Sequence, residues 1–333
     1  MSNWIVLQFY ESWESNHGLY NFWTQLWFAR TKDGIDVVLK VLSDGSDPDG
    51  LRELEILRKV STESLKSHPD NHCVPVLEFV EHGRWTFAVM PRWTGALDAD
   101  FQPIHDSEEA LDFCCQVTCG LAFLHENRIA HLDISQANIM INYCGPRNIR
   151  QNIRKRFPVR YGLIDFGNAR MFPASWPADE LLLTEAVEGH PHMAPEVQQG
   201  QPYDPFAADV FQTAVLFFSY FYDVTAYVPG FHEVLLAMAE KSLKPSDRIT
   251  MAEAHRRFCE LRRKTPPQSQ HEMIDPKFCT YLPPRVDLDP ALLRRLLLRW
   301  KQETVRSNLK FKNKGIVDDT IWNEDWPLLP DKL

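Results

Sequence analysis

The chain has 333 residues, 44% hydrophobic and 24% charged, with a formal net charge of −9. Such a composition suits one large globular domain, or two lobes around a cleft, and the acidic balance speaks against nucleic acid or an anionic membrane as partner. The longest apolar stretch, Val210 to Tyr222, has 13 residues, too few to span a bilayer, and reads as a buried helix.

Seven cysteines (Cys73, Cys114, Cys115, Cys119, Cys144, Cys259 and Cys279) are scattered, odd in number and free of any C-x-x-C spacing. A disulfide framework or structural zinc site is therefore not expected, and a reducing compartment, cytoplasmic or nuclear, fits the pattern. The start, MSNWIVLQFYESWE, has no basic segment followed by an apolar run, so no secretory signal is expected.

Residues 1–93 read mainly as strands with one helix. VVLKVL (37–42) is short and β-branched, and LRELEILRKV (51–60) repeats its apolar residues at helical spacing. VLEFVEHG (76–83) and WTFAVMP (85–91) read as two strands joined at His82-Gly83-Arg84. From about residue 108 the character becomes helical. A helix is expected from a cap at Ser107 through Glu126, then others near 207–222 and 250–264. TPP (265–267) marks a boundary, and residues 266–333 form an extension with one amphipathic helix carrying Leu293, Leu296, Leu297 and Trp300. GSDPDG (45–50) is acidic, but Gly45 and Ile56 stand where a calcium loop needs its first and last oxygen ligands, so calcium is rejected.

Phosphoryl transfer from ATP needs a cation on the phosphates, oxygens on Mg²⁺, a carboxylate near the attacking hydroxyl, and a frame that aligns them. Asp133 and Asn138 lie in one polar loop, His131-Leu132-Asp133-Ile134-Ser135-Gln136-Ala137-Asn138, between a helix and the apolar strand Ile139-Met140-Ile141. Downstream, Leu163-Ile164-Asp165-Phe166-Gly167 is an apolar strand ending on a carboxylate and a glycine. Singly, each is an ordinary feature, since an Asp in a loop caps a turn and a Lys on a strand is commonly solvated. Their joint order carries the reading.

That order resembles the protein kinases. HLDISQAN matches their H-R-D-x-x-x-x-N loop and Asp165-Phe166-Gly167 their metal-binding motif. Lys40 matches the lysine of V-A-I-K, Glu53 the helix glutamate that pairs with it, and Ala194-Pro195-Glu196 the A-P-E motif. Asp209 and Arg248 match the acid that anchors the catalytic loop and the arginine that pairs with A-P-E. The match covers roughly residues 18 to 265.

The resemblance implies an α+β fold with two lobes: a small β-rich N-lobe (1–93) and a larger helical C-lobe (94–265). It implies Mg·ATP as cofactor and a protein as substrate. Lys40, oriented by Glu53, would hold the α- and β-phosphates. Asp133 would receive or orient the proton of the substrate hydroxyl. Asn138 and Asp165 would coordinate Mg²⁺, and Met90-Pro91-Arg92-Trp93 would form the hinge that bonds the adenine.

The pattern departs from the family in four places. Gly18, Tyr20 and Trp23 stand where three glycines would cradle phosphate. Leu132 replaces the arginine that binds a phosphorylated activation loop, and between Asn168 and Met193 the only hydroxyls are Ser175 and Thr184. Phosphorylation there is thus not expected to be the main switch. Ser135 and His190 replace a lysine and a threonine near the reaction centre. Finally, the run from Ile139 to Ile164 has no acid and holds Arg147, Arg150, Arg154, Lys155, Arg156 and Arg160. This basic insert (147–160) is either a solvated hairpin or a dock for an acidic or phosphorylated partner.

Three functions follow: an active protein kinase for serine or threonine, a pseudokinase serving as a binding module, and a small-molecule phosphotransferase of the aminoglycoside- or choline-kinase type. The last ranks third, because those enzymes generally lack A-P-E together with the later Asp and Arg.

Overall fold

A computed structural model describes residues 4–5 (backbone only), 26–97, 104–143, 153–156, 158–177, 181–185, 193–198, 201–239 and 244–266. The phosphate-loop positions Gly18, Tyr20 and Trp23, together with His190, Arg147, Arg150 and the helix in the extension, lie outside the described residues.

The first sheet is antiparallel, in the order β1-β2-β3-β5-β4. Its strands are β1 (Trp4–Ile5), β2 (Leu26–Thr31), β3 (Asp36–Ser43), β4 (Glu78–His82) and β5 (Trp85–Pro91). Register puts Val38 opposite Met90 and Lys40 opposite Ala88. Side chains alternate across a strand, so Val38, Lys40 and Leu42 share one face of β3. Ala88, Met90 and Leu42 join the main core on that face, while Ala29, Val37 and Val89 form a small cluster on the other.

Helix α1 (Pro48–Val60) packs on the core face of this sheet through Leu54, Leu57 and Val60. It begins three residues before the expected Leu51. The Asp47 carboxylate accepts the Gly50 amide at 2.5 Å, and Pro48 takes the first helical position, where its missing N–H leaves nothing unpaired. The acidic 45–50 stretch is therefore a helix start. A four-residue helix, α2 (Glu63–Lys66), follows.

The second half is built on α3 (Ser107–Glu126), α4 (Pro205–Phe221), α5 (Phe231–Ala239) and α6 (Met251–Lys264). Phe113 of α3 meets Phe217 and Phe221 of α4 edge-on at 6.0 and 5.4 Å, and Phe217 meets Phe258 of α6 at 5.5 Å. The cap of α3 is Asp106 rather than the expected Ser107: Asp106 accepts the Glu109 amide at 2.9 Å, while the buried Ser107 hydroxyl has no partner.

Between these helices and the first sheet lie two small ladders. One is the sheet β6 (Thr94–Gly95), β8 (Ile139–Ile141), β9 (Tyr161–Leu163), in the order β6-β8-β9. The other pairs β7 (Ile129–Ala130) with β10 (Arg170–Met171). They flank the loop 131–138 and the segment 164–169. No helix among the described residues is long and apolar enough to cross a membrane.

Candidate active site

Three of the sequence-selected residues meet at one point. Lys40 Nζ on β3 donates to Glu53 Oε1 of α1 at 2.6 Å and to Asp165 Oδ1, just beyond β9, at 2.9 Å. Glu53 Oε1 also accepts the Phe166 amide at 3.2 Å. One buried carboxylate thus ties β3, α1 and the 165–167 turn together. Burial alone would pull the Lys40 ammonium down, but the two carboxylates outweigh it and leave its pKa above the ordinary value of 10.5. Burial likewise works to raise Asp165, and the Lys40 ammonium reverses it, leaving that carboxyl below its ordinary 3.8. The triad is an ammonium neutralised by two carboxylates, a charge that anionic oxygens of a ligand would also satisfy.

The polar loop is held from beneath by Asp209 on α4. Its two oxygens accept the amides of His131 and Leu132, each at 2.7 Å, and His125 Nε2 lies 3.0 Å from the same carboxylate. Gln212, one turn later, accepts the Ile134 amide at 3.0 Å and donates to the Leu132 carbonyl at 3.2 Å. Leu132 itself is buried at φ 62°, a left-handed conformation that costs a branched residue on the order of 1–2 kcal/mol. The paired acceptors below it offset that cost and fix where Asp133 begins.

Two further bonds register this loop against Asp165. The amide of Ile164 donates to the Asn138 carbonyl at 3.0 Å, and His131 Nε2 donates to the Ile164 carbonyl at 3.0 Å. The residue before Asp165 is therefore gripped on both sides by the loop that carries Asp133 and Asn138. His131 is a structural residue. Its ring is buried 5.0 Å from that of Phe166, and its Nδ1 has no hydrogen-bond partner. Asn138 Nδ2 donates to the Asp133 carbonyl at 2.9 Å, which leaves Oδ1 as the atom for a cation. Asp165 sits at φ 65° and keeps a second oxygen beyond the one facing Lys40. Oxygen donors of this kind suit a small hard cation such as Mg²⁺.

The expected hinge is resolved more finely by the ladder. The Arg92 amide donates to the Asp36 carbonyl at 3.0 Å, so it is engaged with β3, and the Arg92 guanidinium lies over the Phe28 ring at 4.8 Å. In an antiparallel ladder successive residues alternate their bonding direction, so the Pro91 carbonyl, next to the engaged Arg92 amide, faces away from β3. Met90 is buried on the cleft face of β5.

Glu196 and Arg248 meet as a bidentate pair at 2.5 and 3.0 Å, with the Arg248 side chain almost fully buried over Phe211. In the basic insert, Arg154 donates to the Tyr161 hydroxyl and the Ala96 carbonyl, Lys155 pairs with Asp106 at 2.7 Å, and Arg160 donates to the Asn71 carbonyl at 2.6 Å. Those three cations each have partners within the fold, Arg154 and Arg160 half-buried and Lys155 at the surface. Gln212 was not singled out in the sequence, although its place three residues after Asp209 on the same helix face is the signal for it.

The profile of the protein kinase domain family matches residues 29–260. The serine/threonine-protein kinase ppk8 of Schizosaccharomyces pombe is 30% identical over 142 residues, which is 43% of this chain and 23% of that protein. The serine/threonine-protein kinase oca2 of the same yeast is 27% identical over 171 residues, 50% of this chain and 24% of that protein. Cyclin-dependent kinase 8 of Drosophila melanogaster is 24% identical over 217 residues, 62% of this chain and 45% of that protein. The chain spans less than half the length of each of these relatives.

Proposed function

Because this chain belongs to the protein kinase domain family, we propose that it is an ATP-dependent protein kinase that transfers the γ-phosphoryl group of Mg·ATP to a serine or threonine hydroxyl of a protein. The observation that carries this reading is Lys40, bonded at once to Glu53 at 2.6 Å and to Asp165 at 2.9 Å across 125 residues of sequence. Serine/threonine direction rests on the names of the relatives.

In this reading Lys40 holds the α- and β-phosphates, and Glu53 keeps its ammonium aimed at them. Asn138 Oδ1 and the Asp165 carboxylate hold Mg²⁺, which, when bound, neutralises charge on the phosphates. The Asp133 carboxylate orients the substrate hydroxyl. The oxygen of the substrate hydroxyl bonds to the γ-phosphorus, the bond from that phosphorus to the β–γ bridging oxygen breaks and leaves ADP, and the hydroxyl proton passes to Asp133. The Pro91 carbonyl, rather than the Arg92 amide, is a hinge group for the adenine.

Docking of an acidic or phosphorylated partner on the basic insert (147–160) would fall, among the insert's described cations, to Arg156, since Arg154, Lys155 and Arg160 are engaged elsewhere. An intracellular setting, cytoplasmic or nuclear, is supported by the free thiols of Cys73, Cys114, Cys115, Cys119 and Cys259.

Thermal unfolding with and without Mg·ATP, followed by phosphotransfer from γ-labelled ATP to generic protein substrates, tests the reading. Stabilisation and label transfer are expected, because a ligand that binds the folded state alone raises its melting temperature. Stabilisation without transfer would favour a pseudokinase, and the absence of both would reject the nucleotide site.

A further inference from the structure

The strand that follows Asp165-Phe166-Gly167 carries an arginine turned inward. Arg170 Nη1 donates to the carbonyls of Asn168 and Ala169 at 2.9 and 3.2 Å, and Nη2 meets Glu185 Oε2 at 2.9 Å. Arg170 stands opposite Ala130 in the β7–β10 ladder, and Ala130 directly precedes His131-Leu132-Asp133. Glu185 belongs to a stretch, 181–185, that is tied on its other side to the entry of α4. The Leu183 and Tyr203 amides exchange bonds with each other's carbonyls at 2.9 and 2.8 Å, and the Tyr203 hydroxyl donates to the Glu185 carbonyl at 3.1 Å. The 181–185 stretch thus bridges the two structures that hold the catalytic loop: β10 above it and α4 below it.

From this arrangement we infer that Arg170 and Glu185 are a positioning pair, in which a permanent carboxylate anchors the 181–185 segment beside the catalytic loop, so that phosphorylation is not needed to order it. A phosphoryl group orders such segments by presenting anionic oxygens to an arginine. Here Glu185 already presents them, and the Leu132 side chain, buried and apolar, brings no second cation to the loop. The nearby threonine hydroxyl, Thr184, is not the anchoring group. The inference rests on the kinase reading for its consequence in rate, and on the ion pair alone for its consequence in order.

The test compares the full chain with Glu185→Gln, which keeps the shape and removes the charge. Amide hydrogen exchange at Leu183 and Tyr203 is expected to speed up about fivefold, since a mostly exposed carboxylate contributes a modest tie. Phosphotransfer kcat is expected to fall by a similar factor with KM for ATP unchanged. Arg170→Glu combined with Glu185→Arg should recover much of both, whereas Thr184→Ala and phosphatase treatment should change neither. Exchange at Leu183 and Tyr203 identical in parent and Glu185→Gln would overturn the inference, as would loss of activity on phosphatase treatment. A parent without phosphotransfer would instead count against the kinase reading, and the exchange rates would still decide the ion pair.

Discussion

Asp209 Oδ1 accepts the amide of Leu132 at 2.7 Å, and Leu132 holds a φ of 62°. The acid lies in the middle of the core with no solvent exposure, and its other oxygen serves the His131 amide and His125. Asp209→Asn keeps one acceptor but turns an NH₂ toward a donor. We expect a loss of about 2–4 kcal/mol in stability, read as a lower urea midpoint, together with reduced phosphotransfer. An unchanged midpoint would mean that the loop holds its left-handed residue by other means.

Lys40 and Asp165 set a pH window. The depressed carboxyl of Asp165 contributes stability that is present above its ordinary 3.8 and is lost as pH falls through its lower folded value. The raised ammonium of Lys40 contributes stability that is present below its ordinary 10.5 and is lost as pH climbs through its higher folded value. The difference in melting temperature between parent and Asp165→Asn should therefore stay flat from about pH 5 to about pH 9 and shrink only outside that range. A difference that fades between about pH 5 and 7 would contradict the pairing.

Among the described cysteines, Cys259 has the surroundings that most favour a thiolate. The Cys115 thiol and then His255, whose Nδ1 is 3.7 Å from Sγ, hold it down at about 5. Burial pushes Cys73 and Cys119 up to about 12 and raises Cys114 strongly. Limiting iodoacetamide at neutral pH should alkylate Cys259 before Cys73, Cys114 and Cys119, as mapped by peptide mass spectrometry. Equal labelling of Cys259 and Cys73 would contradict this environment.

Glu196 and Arg248 join the A-P-E segment to the turn before α6, with the guanidinium buried. Glu196→Ala strands that cation, at an expected cost of about 3–5 kcal/mol. Glu196→Ala with Arg248→Met should recover part of the loss, because an apolar side chain tolerates the site that a lone cation does not. Equal stability of the single and double variants would argue against a desolvated pair.

The candidate site residues were legible in the sequence because phosphate chemistry restricts the type and order of the groups it needs: Lys40, Glu53, Asp133, Asn138 and Asp165 each carry a charge or amide at a recognisable place. Long helices were legible from apolar spacing, as in LRELEILRKV. Choices between neighbours were not. Asp106 and Ser107 are both good caps, and only the bond to the Glu109 amide decides between them. The hinge was placed by motif, but which of its amides is available depends on ladder parity, which appears only once Asp36 is opposite Arg92. The α5 helix, FHEVLLAMA, is short and almost wholly apolar, so its periodicity is faint. The basic insert looked like a free patch because two of the groups engaging it, Asp106 and Asn71, lie far from it in sequence, and the third, the Tyr161 hydroxyl just beyond it, carries no opposite charge to signal a partner.

In the proposed reaction Asp133 acts on a substrate hydroxyl beside a nucleotide held by Lys40 and Asp165. The most direct measurement is the rate of label transfer from γ-labelled ATP for parent and Asp133→Asn, at matched nucleotide affinity. A fall on the order of 10²-fold or more is expected, with Mg·ATP binding retained. Equal rates in the two proteins would contradict it.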